Sequence, residues 1–344
     1  MEINQNFNII ILNWNGWDDT KLCIESILKE SKFDNFTIFL VDNGSSDKEI
    51  NIIEKYLNST INNVIIETKE TLKYSNCLNV NFKNLSGKNK IVFVKNNDNL
   101  GFAKGNNIVL KFLIENNQKY ALLLNNDTII ENDALCKMYN YLVKKNTVND
   151  EICAIIPQIR LFEPNNILWN CGGSINWLGI RKYYYANKDF HELPKDRFSS
   201  QVEFGTGCCI LMDLDKTGIL SNKYFFGEED FEFALRMRKS YKIVCLYDSI
   251  IYHKVGTSRD KVSEIKLGKL AYHYSQRMNN LKIHLNYFSW LISFFLHFLS
   301  SLRIALKDNS LLSILKMWKI IYRNSNKERF TKEDFIIISK MDFK

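Results

Sequence analysis

Apolar runs that end in polar residues are the feature that most constrains the fold of this chain. Residues 120–127 read YALLLNND, so four apolar residues run directly into two amides and a carboxylate. Residues 7–15 (FNIIILNWN) and 36–47 (FTIFLVDNGSSD) repeat the arrangement. A buried strand that ends in an acidic residue brings negative charge to the carboxyl edge of a parallel sheet, where open α/β folds bind ligands. Residues 125–127 taken alone fit a plain turn better, but three such strand ends together predict a ligand site.

Strand and helix patterns alternate along the chain, which predicts an α/β fold with a largely parallel sheet covered by helices on both faces. Candidate N-caps are Asp18 for the first helix, Ser45 or Ser46 for the second, and Asn132 or Asp133 for the fourth. Residues rich in Asn, Lys, Ser and Thr predict a surface insertion at 58–90. Strands are predicted near residues 8–13, 36–41, 91–95, 120–125, 152–157, 207–213 and 243–247, and helices near 18–31, 46–57, 101–117, 132–145 and 229–240.

The composition is that of a folded protein with a sizeable core. The chain has 344 residues, of which 46% are hydrophobic and 13% aromatic, enough for a domain of about 250 residues and an appendage. Its eight cysteines are scattered through apolar runs without a CxxC pair, so we expect reduced core thiols rather than disulfides or a zinc site. The N-terminal residues lack the basic and apolar regions of a signal peptide, and a cytoplasmic location is expected.

The basic character of the chain is concentrated at its C-terminal end. Residues 266–344 contain 14 Lys and Arg against 5 Asp and Glu, a net charge of +9, which leaves −1 for the rest of a chain whose total is +8. Residues 287–302 (YFSWLISFFLHFLSSL) carry no charge and are shorter than the roughly 20 residues of a membrane span. They predict a helix that lies on an anionic membrane surface. A helix that packs on the catalytic domain or on a second copy in a homodimer is the alternative. No nucleic-acid motif accompanies the charge, so no nucleic acid partner is expected.

Seven segments occur in the order found in inverting family 2 glycosyltransferases, and the chain most resembles their rhamnosyltransferase-like branch, which builds bacterial surface polysaccharides. The segments are 10–16 (IILNWNG), 40–47 (LVDNGSSD), 97–107 (NDNLGFAKGNN), 122–128 (LLLNNDT), 205–212 (GTGCCILM), 225–242 (FFGEEDFEFALRMRKSYK) and 250–258 (IIYHKVGTS). The resemblance implies a GT-A (Rossmann-like) catalytic domain over residues 1–280. Its nucleotide-sugar half would cover about 1–128 and its acceptor half about 129–280. Residues 281–344 would form a basic, apolar helical tail.

The resemblance implies a donor site for a UDP- or dTDP-sugar at the ends of the first strands. Asn13 and Asp42 match positions that contact the nucleoside, and a carboxylate there can accept the imide hydrogen of uracil or thymine. Asp42 would also fit a helix-capping turn. Asn99 and Gly105 match a glycine-rich helix start that lets backbone approach the donor, although a tight turn explains the same residues.

A metal site is implied where the family has its DxD motif. Asp127 matches the second acidic residue, while Asn125 replaces the first and, with Asn126, would face the donor. His253 matches the third metal ligand of many members, although a lone histidine is more often a satisfied core residue. A mixed oxygen and imidazole site suits Mn²⁺ as well as Mg²⁺, and the neutral Asn125 makes the site depend more on the phosphate oxygens of the donor.

The acidic cluster at the start of the helix near 229–240 matches the family's catalytic dipeptide. Asp230 would be the general base and Glu229 its neighbour, with Glu228, Thr206 and Gly207 on the acceptor side. The alternative for the acidic cluster is a solvated helix start, where carboxylates are stabilised by the helix dipole.

Further side chains extend this acceptor side. Glutamates of the acidic cluster would orient the acceptor or hold Arg236. Trp169, Trp177 and Tyr183 lie in an aromatic stretch and would stack on sugar faces or form core, with neither outcome favoured.

Together these features predict a metal-dependent, inverting glycosyltransferase that adds one sugar to a lipid-linked or surface glycan at the inner membrane face. The family's late tyrosine and arginine-asparagine signature survives only in part, at Tyr274, Arg277 and Asn279, so a preference for rhamnose does not carry over. The alternatives are a catalytically silent sugar-nucleotide or glycan-binding module and a nucleotidyltransferase. The sequence has no basic phosphate-grasping loop near the N-terminus, which disfavours the nucleotidyltransferase.

Overall fold

The computed structural model describes residues 7–29, 36–60, 64–68, 90–146, 151–254, 267–305 and 310–343. Most of the predicted insertion at 58–90 lies outside these ranges. The strands are β1 (Phe7–Asn13), β2 (Phe36–Asn43), β3 (Val64–Thr68), β4 (Lys90–Asn96), β5 (Tyr120–Asn125), β6 (Thr128–Ile130), β7 (Ile152–Leu161), β8 (Leu168–Asn170), β9 (Gly173–Ile175), β10 (Arg181–Tyr183), β11 (Ser199–Val202), β12 (Cys209–Asp213) and β13 (Lys242–His253).

Helices follow most of the long strands. They are α1 (Trp17–Leu28), α2 (Asp47–Thr60), α3 (Phe102–Glu115), α4 (Ala134–Asn146), the short α5 (Leu214–Thr217), α6 (Glu229–Met237), α7 (Leu267–His284), α8 (Tyr287–Ala305), α9 (Leu311–Asn324) and α10 (Lys332–Ser339). The structure confirms the predicted alternation of strands and helices. The predicted cap Asp18 is wrong, because Gly16 holds the N-cap position of α1 and Asp18 lies in the first turn.

One mixed, mostly parallel sheet carries the described fold. Its strand order is β11-β13-β7-β12-β5-β1-β2-β4-β3, with β6 paired to β13 and β8 paired to β7. The strands β5, β1, β2, β4 and β3 are parallel, while β12 runs antiparallel between β5 and β7. A separate hairpin consists of β9 and β10. Parallel pairing brings the polar ends of β1, β2 and β5 to one edge of the sheet.

Apolar cores lie on both faces of the sheet because successive side chains of a strand alternate between faces. Ile9 and Ile11 of β1 pack on one side with Leu135 of α4. Ile10 packs on the other side with Val109 of α3. The predicted fold class, a sheet covered on both faces, is therefore confirmed.

The C-terminal helices share a third core with α6 and α7. Trp290 of α8 is buried and its indole N–H donates to the Met278 carbonyl at 3.0 Å. Trp318 of α9 donates in the same way to Ser301 Oγ at 2.8 Å. Helix α7 continues to His284, beyond the domain boundary predicted at 280. The described residues of α8, α9 and α10 thus pack on α6 and α7, which is one of the alternatives considered for the tail.

The opposite side of α8 is apolar and exposed. Phe288 is 71% exposed, Phe295 57% and Leu299 41%, at the spacing of one helix face. Among the described helices, including α8, none combines the length and apolar character needed to cross a bilayer. The uncharged run at 287–302 therefore has one face in the core and one face open to a partner.

The described cysteines are free thiols, as predicted. Six of the seven are buried, and Cys77 lies outside the described residues. Burial raises the pKa of Cys23 to about 12, although hydrogen bonding with Thr128 opposes the shift. The thiols are therefore neutral core groups in this structure.

Candidate active site

The polar ends of the central strands meet at one edge. Asn13 of β1 lies opposite Asp42 of β2, and Asn43 lies opposite Asn96 of β4. This parallel register follows from the apolar runs that precede these residues, since each run must be buried along its whole length. The predicted edge of amides and carboxylates is therefore formed.

Asn13 and Asp42 are fully buried and bond each other. Asn13 Nδ2 donates to Asp42 Oδ1 at 3.0 Å and to Glu49 Oε1 at 3.1 Å. Thr20 Oγ1 donates to Asn13 Oδ1 at 2.8 Å, and Asp42 Oδ2 accepts from the Ser45 N–H at 2.9 Å. In this structure Asp42 closes the turn before α2, which was the alternative considered for it. Contact with a base would require its carboxylate to exchange these partners.

Asn99 and the glycines after it shape the start of α3. Asn99 Oδ1 accepts from the Gly101 N–H at 2.9 Å and from Asn43 Nδ2 at 3.0 Å. Gly101 has a φ of 81°, and a Cβ there would lie 2.2 Å from the Phe225 carbonyl oxygen. A Cβ on the buried Gly105 would lie 2.6 Å from Leu12 Cδ1. Close packing of α3 on the sheet therefore accounts for Gly105, and its contact with the donor stays a prediction.

Asp127 and His253 come together as the resemblance implied. Asp127 follows β5, His253 ends β13, and Asp127 Oδ1 lies 3.1 Å from His253 Nε2. The Lys254 N–H donates to the Asp127 carbonyl at 2.9 Å and fixes the two segments. The Trp169 ring lies 4.5 Å from the imidazole, edge to face.

This pair fits a divalent cation. Among the described residues, Asp127 Oδ1 and His253 Nδ1 are buried and make no hydrogen bond of normal geometry. An octahedral ion with ligands at 2.0–2.1 Å separates adjacent ligand atoms by about 3 Å, which is the spacing found here. No third Asp, Glu, His or Cys joins the two within the described part of the chain. The remaining ligands would come from water or substrate phosphate oxygens.

The two asparagines before Asp127 differ in their surroundings. Asn125 is half-buried, and its backbone N–H donates to the Cys208 carbonyl at 2.8 Å. Asn126 Nδ2 instead donates to Thr20 Oγ1 at 2.9 Å and to the Gly16 carbonyl at 3.3 Å. Asn126 thus ties the segment after β5 to α1, and the donor contacts of Asn125 and Asn126 stay predictions.

Glu229 and Asp230 begin α6 in different protonation states. Burial raises the pKa of Asp230 to about 6, with the charge of Glu228 adding to the rise and Arg181 opposing it. Its Oδ1 accepts from the Phe231 N–H at 2.9 Å, and the Gly207 N–H also donates to this carboxylate. Burial and the charge of Asp230 raise the pKa of Glu229 to about 8, and Glu229 Oε2 accepts from the Gly227 N–H at 2.6 Å. At neutral pH Asp230 is therefore the member of the pair that can accept a proton.

Glu228 is a fully buried ion-pair partner, and its place on the acceptor side stays a prediction. Its carboxylate bonds the Arg181 guanidinium, Asn280 Nδ2 at 3.1 Å and Arg277 Nε at 3.4 Å. Burial alone would raise the pKa of Glu228, but Arg181 and Arg277 together lower it to about 2. Glu228 thus joins hairpin β9–β10 to helices α6 and α7.

Arg236 is not held by the first acidic residues of the cluster, contrary to the prediction. Its Nε lies 3.4 Å from Glu232 Oε1, and its other nitrogens donate to the Thr217 and Ile219 carbonyls at 2.9 and 3.1 Å. The helical spacing of four residues favours Glu232 as the partner.

The segment before β12 lies beside Asp230. Thr206 Oγ1 accepts from the Cys208 N–H at 2.9 Å, which shapes the turn that presents the Gly207 N–H. Thr206 and Gly207 are half-buried. The aromatic stretch divides between surface and core, because Trp177 is 64% exposed and Tyr183 46%, whereas Trp169 is half-buried.

Sequence reasoning missed Arg181, the residue that links the hairpin to the acidic cluster. Arg181 begins the three-residue strand β10 (RKY), which has neither a motif nor a readable period. The late residues Tyr274 and Asn279 are structural here. Tyr274 is buried in the third core, and Asn279 accepts from the Tyr224 hydroxyl at 3.0 Å.

Known proteins share this architecture. Residues 8–94 match the family described as Glycosyl transferase family 2. Residues 1–349 of TarS from S. aureus superpose with a TM-score of 0.53 at 13% identity, covering 97% of this chain and 83% of that one. A mannosyltransferase, PcManGT from Pyrobaculum calidifontis, in complex with GDP-Man and Mn²⁺, gives a TM-score of 0.51 at 11% identity and covers 97% and 85%. A search of curated proteins finds no significant match. The chain has the GT-A fold, and these findings support a glycosyltransferase.

Proposed function

We propose that this glycosyltransferase moves one sugar, with inversion, from a UDP- or dTDP-sugar to a lipid-linked or surface glycan. The observation that carries the proposal is the short link between the two halves of the site. Asn125, two residues from Asp127, donates its N–H to Cys208, and the adjacent Gly207 donates its N–H to Asp230. Four residues, Asn126, Asn125, Cys208 and Gly207, thus connect Asp127 to the ionisable carboxylate through two backbone hydrogen bonds.

The carboxylates favour a single displacement. Asp230 would take the proton of the acceptor hydroxyl while the hydroxyl oxygen forms a bond to the anomeric carbon. The diphosphate would leave with the electron pair of the broken bond. A retaining reaction through a covalent intermediate needs a carboxylate nucleophile beside the acid–base group. Glu229 is protonated at neutral pH and Glu228 is held by two arginines, so neither serves that purpose.

Asp127 and His253 would hold Mn²⁺ or Mg²⁺, whose charge would neutralise the leaving diphosphate. Asn125 adds a neutral oxygen at most, which leaves more of the coordination to the donor. The rhamnosyltransferase-like branch stays a prediction. A catalytically silent binding module of the same fold is disfavoured by the joint presence of Asp127, His253 and an ionisable Asp230.

The proposal is tested by nucleoside-diphosphate release over a panel of UDP- and dTDP-sugars. We expect activity to vanish with excess chelator and to return with Mn²⁺ or Mg²⁺. Asp127→Ala and His253→Ala should each weaken donor binding, measured by titration calorimetry. Asp215→Ala, at a well-exposed carboxylate, is the matched control. Full activity in excess chelator would show that transfer needs no metal.

We also propose peripheral association with the inner face of the cytoplasmic membrane. The exposed face of α8 carries Phe288 and Phe295. The next helix, α9, also exposes Leu315, Lys316 and Lys319. Apolar side chains with nearby cations are what an interfacial helix presents to anionic lipid.

A further inference from the structure

A cleft beside hairpin β9–β10 takes no part in the site described above. Its volume is about 590 Å³, within the range of ligand pockets. Lys182, Tyr183, Lys188, Arg197 and Tyr247 are among the residues that line it. A second cavity of about 310 Å³ adjoins it and shares the lining residues Arg197 and Tyr247. We call the two adjoining cavities the tyrosine cleft.

The tyrosine cleft carries excess positive charge. Lys188 is paired with Glu192 at 2.8 Å, but Lys182 and Arg197 have no carboxylate within ion-pair distance among the described residues. The second cavity adds Arg160 and Lys195 against a single carboxylate, Asp248. Unpaired cations that line a concave surface attract an anionic ligand.

Aromatic rings form the rest of the wall. The Tyr185 and Tyr247 rings lie 6.1 Å apart, and Tyr183 packs edge-on against Phe204 at 5.2 Å while remaining half exposed. Flat apolar rings with a polar hydroxyl suit the C–H faces and hydroxyl groups of sugars. The cleft therefore combines surfaces for a sugar with charges for an anion.

The cleft leads directly to the catalytic carboxylates. Arg181 bonds Glu228, and Tyr183 lies two residues further along the same strand, a distance of about 7 Å. Phe204 contacts both Tyr183 and Phe231, with ring centroids 5.2 and 5.0 Å apart. Phe231 directly follows Asp230. A chain that places one hydroxyl at Asp230 can thus run on past Tyr183 into the cleft.

We propose that the tyrosine cleft binds the acceptor and that this acceptor is an anionic glycan whose phosphate or carboxylate groups pair with Lys182 and Arg197. This inference rests on the proposed function, because it concerns the acceptor of the same transfer. Arginine can form two parallel hydrogen bonds with either anion, whereas lysine acts as a point charge.

Binding of three probes to the full chain tests the proposal. The probes are tetragalacturonate, a synthetic tetra(glycerol phosphate) and neutral maltotetraose, each measured by titration calorimetry at low and high salt. We expect at least one anionic probe to bind more than tenfold tighter than maltotetraose, and to weaken with salt. The two anionic probes distinguish carboxylate from phosphate as the recognised group.

Variants locate the binding. The double variant Lys182→Ala/Arg197→Ala should lose at least tenfold in affinity for the preferred anion and retain the weak affinity for maltotetraose. Tyr183→Ala should weaken charged and neutral probes alike. Lys55→Ala, an exposed lysine on α2, is the matched control and should change neither. Equal affinity for all three probes, or an anion preference that survives the double variant, would overturn the inference.

A separate measurement keeps this inference apart from the proposed function. If wild type binds UDP or dTDP but shows no anion preference, the cleft proposal alone fails. If wild type binds an anionic probe in the cleft but no nucleotide, the proposed function fails and the cleft is no acceptor site.

Discussion

Three consecutive carboxyl groups, Glu228, Glu229 and Asp230, have three different protonation properties. Glu228 is ionised because Arg181 and Arg277 stabilise its charge. Glu229 is protonated near neutral pH because burial disfavours its charged form. Asp230 lies between these extremes. The surroundings of each side chain thus distinguish the pKa of the candidate base from those of its neighbours. Their shared position at a helix start does not reveal this difference.

Replacement of the base should separate binding from turnover. We expect Asp230→Asn to retain donor binding and to lower kcat by about two to four powers of ten. Because the pKa of Asp230 is raised to about 6 and the base must be ionised, wild-type kcat/KM should fall as pH drops below about 6. Initial rates from pH 5 to 8 measure both effects. Asp196→Asn at an exposed site is the control, and near-normal transfer by Asp230→Asn would exclude the role.

Glu229 should limit stability at high pH. Its pKa is raised from 4.5 to about 8, so the stability that its protonated form preserves is complete below pH 4.5 and is lost as pH rises towards 8. Glu229→Gln carries no ionisable group there. We expect it to melt about 1–4 °C above wild type at pH 9, from roughly 1–3 kcal/mol, with little difference at pH 4.5. Equal melting temperatures at both pH values would contradict the assigned shift.

At the scale of elements, Glu228 joins hairpin β9–β10, α6 and α7. Removal of its charge would leave two guanidinium groups unpaired in a buried site. Glu228→Gln should therefore cost about 3–5 kcal/mol of unfolding free energy, measured by urea denaturation. Glu192→Gln, which breaks an exposed pair, should cost less than about 1 kcal/mol. If both variants were equally stable, Glu228 would not be the link between these elements.

Long elements were predictable from sequence and short ones were not. The apolar run at 120–125 predicted β5 with its observed bounds, because a strand buried on both faces has a continuous apolar pattern. The strand predicted at 243–247 extends to His253 through a β-bulge between Leu246 and Ile250, which interrupts its pattern. Strands β8, β9 and β10 have three residues each and depend on pairing with distant segments.

The candidate site divides in the same way. Asp127, His253 and Asp230 each stand at the end of a regular element, so ordered motifs were enough to place them. The packing of Gly105 on Leu12 and the pairing of Glu228 with Arg181 were not predictable, because these neighbours come from other parts of the chain. Packing partners of this kind have no local signature.

At the scale of the whole molecule, α8 contacts the protein core on one side and is apolar on the other. We expect the triple variant Phe288→Ser/Phe295→Ser/Leu299→Ser to lose most of its binding to anionic vesicles without a lower melting temperature, since these side chains are exposed. Trp290→Ala, at a fully buried position of the same helix, should instead destabilise the protein by about 3–5 kcal/mol. Vesicle co-sedimentation and thermal melting measure the two effects.

Salt dependence and mass distinguish lipid from a second copy. Binding to anionic vesicles should weaken as ionic strength rises. If wild type is a dimer by light scattering, ignores vesicles, and becomes a monomer in the triple variant, the exposed face is a homodimer interface. The membrane proposal would then fall.

The two sides of α8 should also differ in the substitutions that relatives carry. On the core side, Trp290 fills a defined space and donates a hydrogen bond to the Met278 carbonyl, so relatives should keep both shape and donor there. On the outer side, a lipid surface asks only for apolar character, and Phe288 or Leu299 can drift among Leu, Ile, Phe and Met without cost. The two faces of one helix would thus tolerate different substitutions. The pattern of tolerated substitutions would show whether the outer face contacts lipid.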